Sequence, residues 1–173
     1  GIAERLTGIG VQLADAYAAV LASQGFRVPY RTTLNPPLWE WGHVAWFQEW
    51  WIARNAQRSL GIACDAEHPR SASAMPEADA MYDSSRVAHT RRWELALPDE
   101  KTTREWLAAT LQQTLALLDA LPADASHDDL YFFRLVALHE EMHAEAATYM
   151  AEALDIPVPP AVLRTPPPLS QEV

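Results

Sequence analysis

HPRSASAMPEADAMYDSSRVAHTRRWELALPD, residues 68–99, is the stretch that decides how the rest of this chain can fold. Proline, serine and aspartate interrupt it so often that at most a short helix is predicted inside it. It forms most of a longer segment, residues 62–99, that lacks both a helical and a strand repeat. A connection this long lets the helices on its two sides lie parallel, whereas a short loop would make them antiparallel.

Two helices are predicted directly beside this crossover. The helix before it begins after the sequence LNPP, where Asn35 can cap it and a proline suits its first turn, and it extends to about Gly61. It holds five of the seven tryptophans, so we expect it to be buried against more than one neighbour. The helix after the crossover covers about residues 100–121. Leucines form its apolar face: Leu107, Leu111, Leu115 and Leu118.

Two outer helices complete the prediction. Apolar residues at three- and four-residue steps indicate a first helix from Ile2 to near Gly25, and a last helix covers about residues 128–154. No segment alternates convincingly as a strand would, so the expected fold is all-α, an up-down bundle with one long crossover between helices 2 and 3. Residues 1–155 would form this bundle. Residues 156–173 are rich in proline and would form a linker or tail.

The composition excludes several classes of partner. The formal net charge is −10, and no basic run is long enough for nucleic acid or anionic lipid, so neither is expected to bind. No segment has the apolar length of a membrane span, and Cys64 is the only cysteine. We therefore expect a cytoplasmic protein, for which a homodimer is possible in principle. Because the sequence does not begin with methionine, we also expect it to be a piece of a longer chain.

The motif VALHEEMHAEAATYM, residues 136–150, carries the chemistry. Its histidines, His139 and His143, are four residues apart and therefore lie on one face of a helix. The buried second helix carries another histidine, His43, which needs a polar partner. In a small bundle these three side chains can meet, and three imidazoles would leave coordination positions of a metal open. The alternative is a set of core histidines that hydrogen-bond to their neighbours.

Charged residues near these histidines have two possible roles. Glu140 is expected to contact a ligand histidine, and Glu145 to contact the neighbouring helix. Both could equally be charges on a solvated face. Arg86, Arg91 and Arg92 form the main concentration of positive charge and could bind a substrate carboxylate, or they could balance charge on the surface.

Two motifs together resemble a known family. The first motif is PPLWEWGHVAWF, and the second, about a hundred residues later, is HEEMHAE. Together they resemble the DinB-like N-terminal domain of the non-heme iron sulfoxide synthases of ergothioneine biosynthesis. The segments YDSSRVAHTRRWELALPDEKTTREWL and DDLYFFRLVALHEEMHAE look closer to the selenoneine synthase branch of that group. Met142 stands where ergothioneine-type members often have glutamine.

The resemblance implies a DinB-like four-helix bundle, in the order up-down-down-up, and an oxidoreductase function. His43, His139 and His143 match the iron ligands, and Arg91, with Arg86 and Arg92 as alternatives, lies near the substrate-carboxylate site. The substrates would be hercynine and a thiol or selenosugar donor, joined through a C–S or C–Se bond with O2. Members of this family continue into a domain like the formylglycine-generating enzyme, which this sequence does not contain.

Two other functions stay open at the level of sequence. A stand-alone DinB-like protein could use Zn or Ni, as well as Fe(II), to activate a thiol for S-transfer. A metal-stabilised interaction module could instead present the tryptophan-rich helix to a partner. Three imidazoles suit all three metals, so the sequence alone does not choose between these functions.

Overall fold

The computed structural model describes residues 1–24 and 27–157, and within these ranges the chain is helical and contains no strand. Four long helices carry the fold: α1 (Ile2–Gln24), α2 (Pro37–Gln48), α4 (Glu100–Asp119) and α5 (His127–Ala153). A five-residue helix, α3 (Ala78–Tyr82), lies within the crossover. This confirms the all-α class. None of these helices combines the length and the hydropathy needed to cross a membrane.

The helix ends follow from local sequence. Ser126 caps α5 through a capping box with Asp129, and Asp99 caps α4 by accepting from the Thr102 N–H. The prediction that Asn35 caps α2 is wrong. Pro36 is the N-cap residue, and the Asn35 side chain instead donates to the Glu40 carboxylate.

The predicted extension of the second helix to Gly61 is also wrong. The α-helical part ends at Gln48 and continues as a π-helical turn, Glu49–Ala53, in which the Arg54 N–H donates to the Glu49 carbonyl at 2.9 Å. A separate 3₁₀ segment, Arg58–Ala63, follows. The wider turn accommodates two successive tryptophans, and Trp51 stacks on Phe132 of α5 at 5.1 Å.

The core lies where α1, α2, α4 and α5 meet. Tyr17 of α1 packs with Trp41 and Val44 of α2 and with Met150 of α5. On α4 the buried face differs from the predicted leucine stripe, because Trp106 and three threonines are its buried members: Thr103, Thr110 and Thr114. Leu107, Leu111 and Leu118 are partly buried beside them.

The crossover, residues 62–99, contains only short helical pieces, as predicted: α3 and a 3₁₀ segment, His89–Trp93. It is held on α2 by Asp79, whose carboxylate accepts from the Trp46 indole at 2.7 Å and from both terminal nitrogens of Arg54 at 2.7 and 2.8 Å. The crossover therefore covers one side of α2. Most of the predicted proline-rich tail, residues 158–173, lies outside the described residues.

Candidate metal centre

Three histidines from two helices converge on one point. His139 Nε2 of α5 lies 3.2 Å from His43 Nε2 of α2 and 3.1 Å from His143 Nε2. The candidate ligand atoms of all three side chains lie within 4.8 Å of one another. The four-residue step on α5 puts His139 and His143 on one face, and the packing of α2 against that face brings in His43.

His43 is oriented by the crossover. Its Nδ1 donates to the Tyr82 carbonyl oxygen at 2.9 Å, which leaves the Nε2 lone pair directed at the other two histidines. Gly42 makes this contact possible, because a Cβ at that position would lie 2.1 Å from the Tyr82 ring. Glycine inside a helix costs about 1 kcal/mol relative to alanine, and here it allows Tyr82 to pack directly on α2.

His143 is oriented by a buried carboxylate, Glu40, to which its Nδ1 donates. Glu40 is 2% exposed and also accepts from the Tyr17 hydroxyl at 3.0 Å and from the Asn35 amide. Burial acts to raise the pKa of Glu40, but the hydrogen bond from His143, the neighbouring histidines and the hydrogen bond from Asn35 together outweigh burial and hold that pKa below its usual value. Glu40 is therefore an ionised acceptor that keeps the His143 proton on Nδ1 and leaves Nε2 free.

Sequence reasoning missed Glu40, although the sequence contained a signal for it. A glutamate inside a tryptophan-rich, buried helix needs a partner of its own, because an unpaired buried carboxylate is costly. Glu40 is also three residues before His43, a spacing that places two side chains near one another on a helix. Together these features point to a residue beside the histidines.

His139 is held by stacking rather than by a hydrogen bond. Its ring lies on Phe47 with 3.7 Å between the ring centres and 9° between the planes. Its Nδ1 has no partner among the described residues. Burial lowers the pKa of His43 to about 4 and that of His139 further still. Both imidazoles are therefore neutral near pH 7, the form that binds a metal.

The three nitrogens fit a transition-metal ion. Two nitrogens each about 2.0–2.1 Å from one ion, at right or tetrahedral angles, are about 2.8–3.4 Å apart. The two separations that involve His139 Nε2 are 3.1 and 3.2 Å. Three imidazoles without a carboxylate suit iron, zinc or nickel and not calcium or magnesium. The donor set therefore agrees with the metals that the sequence resemblance implies.

A cleft of about 630 Å³ opens over the histidines. One wall is aromatic, with Trp39 stacked on His43 at 4.9 Å, and the crossover forms the opposite wall. Two of the predicted arginines, Arg86 and Arg92, line it. The Arg92 guanidinium lies 3.8 Å over Trp39 and donates to the Asn35 side-chain oxygen at 2.7 Å.

A third arginine in the cleft, Arg70, was not predicted. Its guanidinium lies 5.2 Å from both the Trp50 and the Trp51 ring centres. Arg70 lies near the start of residues 68–99, which are predicted to contain at most a short helix. Only the packing of the crossover against α2 shows that it faces the cleft.

Three predicted residues lie elsewhere. Glu140 is buried, but it lines a different cavity and forms no hydrogen bond to a histidine. Glu145 is exposed and makes no ion pair with another described residue. Arg91 is exposed, pairs with Glu94 and does not line the cleft. For the two glutamates, the sequence gives the rotation around the helix but not the side of the helix that faces its neighbour.

Two curated relatives are similar in sequence to this chain. A protein named hercynine oxygenase from Mycolicibacterium smegmatis is 29% identical over 136 residues, which are 79% of this chain and 28% of that protein. Hercynine oxygenase of Mycobacterium tuberculosis is 28% identical over 128 residues, 73% of this chain and 26% of that protein. The chain thus spans little more than a quarter of the length of these relatives. No protein-family model matches it.

Proposed function

We propose that this chain is the metal-binding helical domain of a non-heme iron enzyme that uses O2 to join sulfur or selenium to hercynine. The convergence of the three histidine Nε2 atoms carries the proposal. The distant relatives named hercynine oxygenase support the choice of substrate. Fe(II) is the proposed metal, and it would supply the one-electron chemistry with O2 that side chains lack.

The protein's own residues would prepare the site in two ways. Tyr82 and Glu40 keep protons on the Nδ1 atoms of His43 and His143, so that both Nε2 lone pairs face the same point. In the cleft, Arg70, Arg86 and Arg92 would bind the anionic groups of a substrate. Of the arginines chosen from the sequence, Arg92 is the strongest candidate, because it touches both Trp39 and Asn35.

We further propose that the helices form a DinB-like bundle in the order up-down-down-up. Several side-chain contacts support parallel α2 and α4: Arg104, early in α4, lies over Trp41, early in α2, while Leu111 and Leu118 pack in the cluster of Ile52. Residues 1–155 would be this domain. The remaining residues would link it to a second domain that completes the substrate site.

Metal binding by the 173-residue chain tests the first part of this proposal. In anaerobic equilibrium dialysis against Fe(II), Zn(II) and Ni(II), each chain should retain one metal ion. Fe(II) should be one of the metals that the chain can retain. The longer protein should consume O2 only when both hercynine and a thiol or selenosugar donor are present, and mass spectrometry should show the joined product. Retention of zinc alone, without O2 uptake dependent on hercynine, would favour a different, non-oxidative function.

A further inference from the structure

A second cavity, of about 380 Å³, lies on the other side of α2 from the histidines. Its α2 residues are Trp41, Val44 and Gln48, which helical rotation places about 100–160° away from His43. Helices α1, α4 and α5 form its remaining walls. The cavity is therefore separate from the metal cleft, although it shares two helices with it.

Most of this second cavity is apolar, but three of its polar side chains are almost fully buried. Trp41 and Gln48 are each 1% exposed, and Glu140 is 3% exposed. The Trp41 Nε1, the Gln48 Nε2 and the Glu140 Oε2 have no hydrogen-bond partner among the described residues. Each such group costs about 1–3 kcal/mol of stability. A few buried polar groups in an otherwise apolar cavity are typical of a small-molecule site.

The unpaired groups of the second cavity favour a neutral ligand. They are two N–H donors, on Trp41 and Gln48, and one carboxyl oxygen, on Glu140, so neither an anion nor a cation would match all three. The Arg104 guanidinium lies 4.6 Å over the Trp41 ring and pairs with Glu100 at 2.8 Å on the exposed side of α4. The charge of Arg104, which also lines the cavity, is therefore already paired, and an ion entering the cavity would lose its water without full compensation.

We propose that this second cavity binds a neutral, mostly apolar small molecule whose hydroxyl or amide group hydrogen-bonds to Trp41, Gln48 and Glu140. The two N–H groups require an acceptor oxygen, and a hydroxyl or amide also provides a hydrogen that the Glu140 carboxyl can accept. The apolar body of the ligand would contact Val44, Leu107 and Leu111. This inference goes beyond the proposed function and does not depend on the metal.

Three probes of equal length test the proposed chemistry on the 173-residue chain: n-hexanol, hexanoate and n-hexylammonium. Binding is followed by the nitrogen-15 NMR signal of the Trp41 indole, which Trp41→Phe identifies. We expect n-hexanol to shift this signal saturably, and the two ions to bind at least about tenfold more weakly. Equal binding of all three probes, or no saturable shift with any of them, would overturn the proposal.

Two neighbouring alanines on α4 provide a matched pair of variants. Ala108 and Ala109 are both exposed, but only Ala108 lines the second cavity, at its opening. Ala108→Trp should obstruct the cavity and weaken n-hexanol binding by about tenfold or more, while Ala109→Trp should leave the binding within about twofold. If Ala108→Trp fails to fold, Leu111→Phe fills the same space. Unchanged n-hexanol binding in the folded filled variant would contradict this location.

Discussion

Glu40 and Glu140 are both buried glutamates on the helices that carry the histidines, and their surroundings differ. Glu40 accepts from His143, Tyr17 and Asn35, and its contacts with the histidines and Asn35 hold its pKa low although burial acts to raise it. Glu140 has no hydrogen-bond partner among the described residues, and burial raises its pKa. The same side chain at similar burial is thus ionised in one place and protonated in the other. Partners, and not burial alone, decide which glutamate can support a metal ligand.

The largest expected effect is on the affinity of the protein for a metal ion. His139→Ala should weaken metal binding by more than about 100-fold, because loss of a group that only supports a ligand already costs about 10–100-fold. Competition with a chromophoric chelator measures the affinity. His127→Ala is the control, since His127 is exposed at the start of α5. Equal affinities of the two variants would mean that the three histidines do not hold the ion.

The second prediction compares the two glutamates directly. Glu40→Gln should weaken metal binding by about 10–100-fold, because His143 loses its ionised acceptor. Glu140→Gln should change the affinity by less than about threefold, since Glu140 contacts no histidine by hydrogen bond. The same chelator competition applies to both variants. A large effect of Glu140→Gln would instead support the expectation from the sequence that Glu140 contacts a ligand histidine.

The third prediction concerns the crossover, which covers the metal cleft but not the second cavity. Asp79→Asn should lower the free energy of unfolding by about 1 kcal/mol at pH 7, because the buried Arg54 loses part of its charged pairing. Hydrogen exchange should become faster in the crossover and stay unchanged in α4. Faster exchange throughout the bundle would show that the crossover is not a separate layer.

The pH dependence of this effect has a definite sign. Hydrogen bonds from Arg54 hold the pKa of Asp79 below 3.8, its ordinary value. The carboxylate therefore stabilises the fold above that pH, and the contribution disappears as the pH falls through the lower, folded value. The difference in the free energy of unfolding between the unaltered protein and Asp79→Asn should therefore become smaller in acid. Asp124→Asn, at an exposed position, should show no such difference.

The smallest expected effect separates two adjacent arginines. Arg92 donates to Asn35, which donates in turn to Glu40, so Arg92→Ala should weaken metal binding by about threefold. Arg91→Ala should leave it unchanged, because Arg91 pairs only with exposed Glu94. The same order should appear in the affinity of the longer enzyme for an anionic donor. An effect of Arg91→Ala equal to that of Arg92→Ala would show that the network ending at Glu40 is unimportant.

Sequence alone determined the all-helical class, the long crossover and the choice of three histidines. Each of these follows from a local feature of the sequence. The features are the spacing of His139 and His143, the density of prolines and serines in residues 68–99, and the need of a buried His43 for a partner. An imidazole can act as a metal ligand whichever helix supplies it. For that reason the histidines could be chosen without knowing the packing.

Only the tertiary structure decided between Glu40 and Glu140, and between Arg92 and Arg91. Helical geometry relates each residue to others on its own helix, but it does not say which side faces a neighbouring helix. The side that faces a neighbour depends on how each helix is rotated and shifted when it packs. This rotation and shift are determined by the burial of many hydrophobic residues at once. Tyr82 reaches His43 because Gly42 allows close packing, a contact across 39 positions of sequence that no local pattern contains.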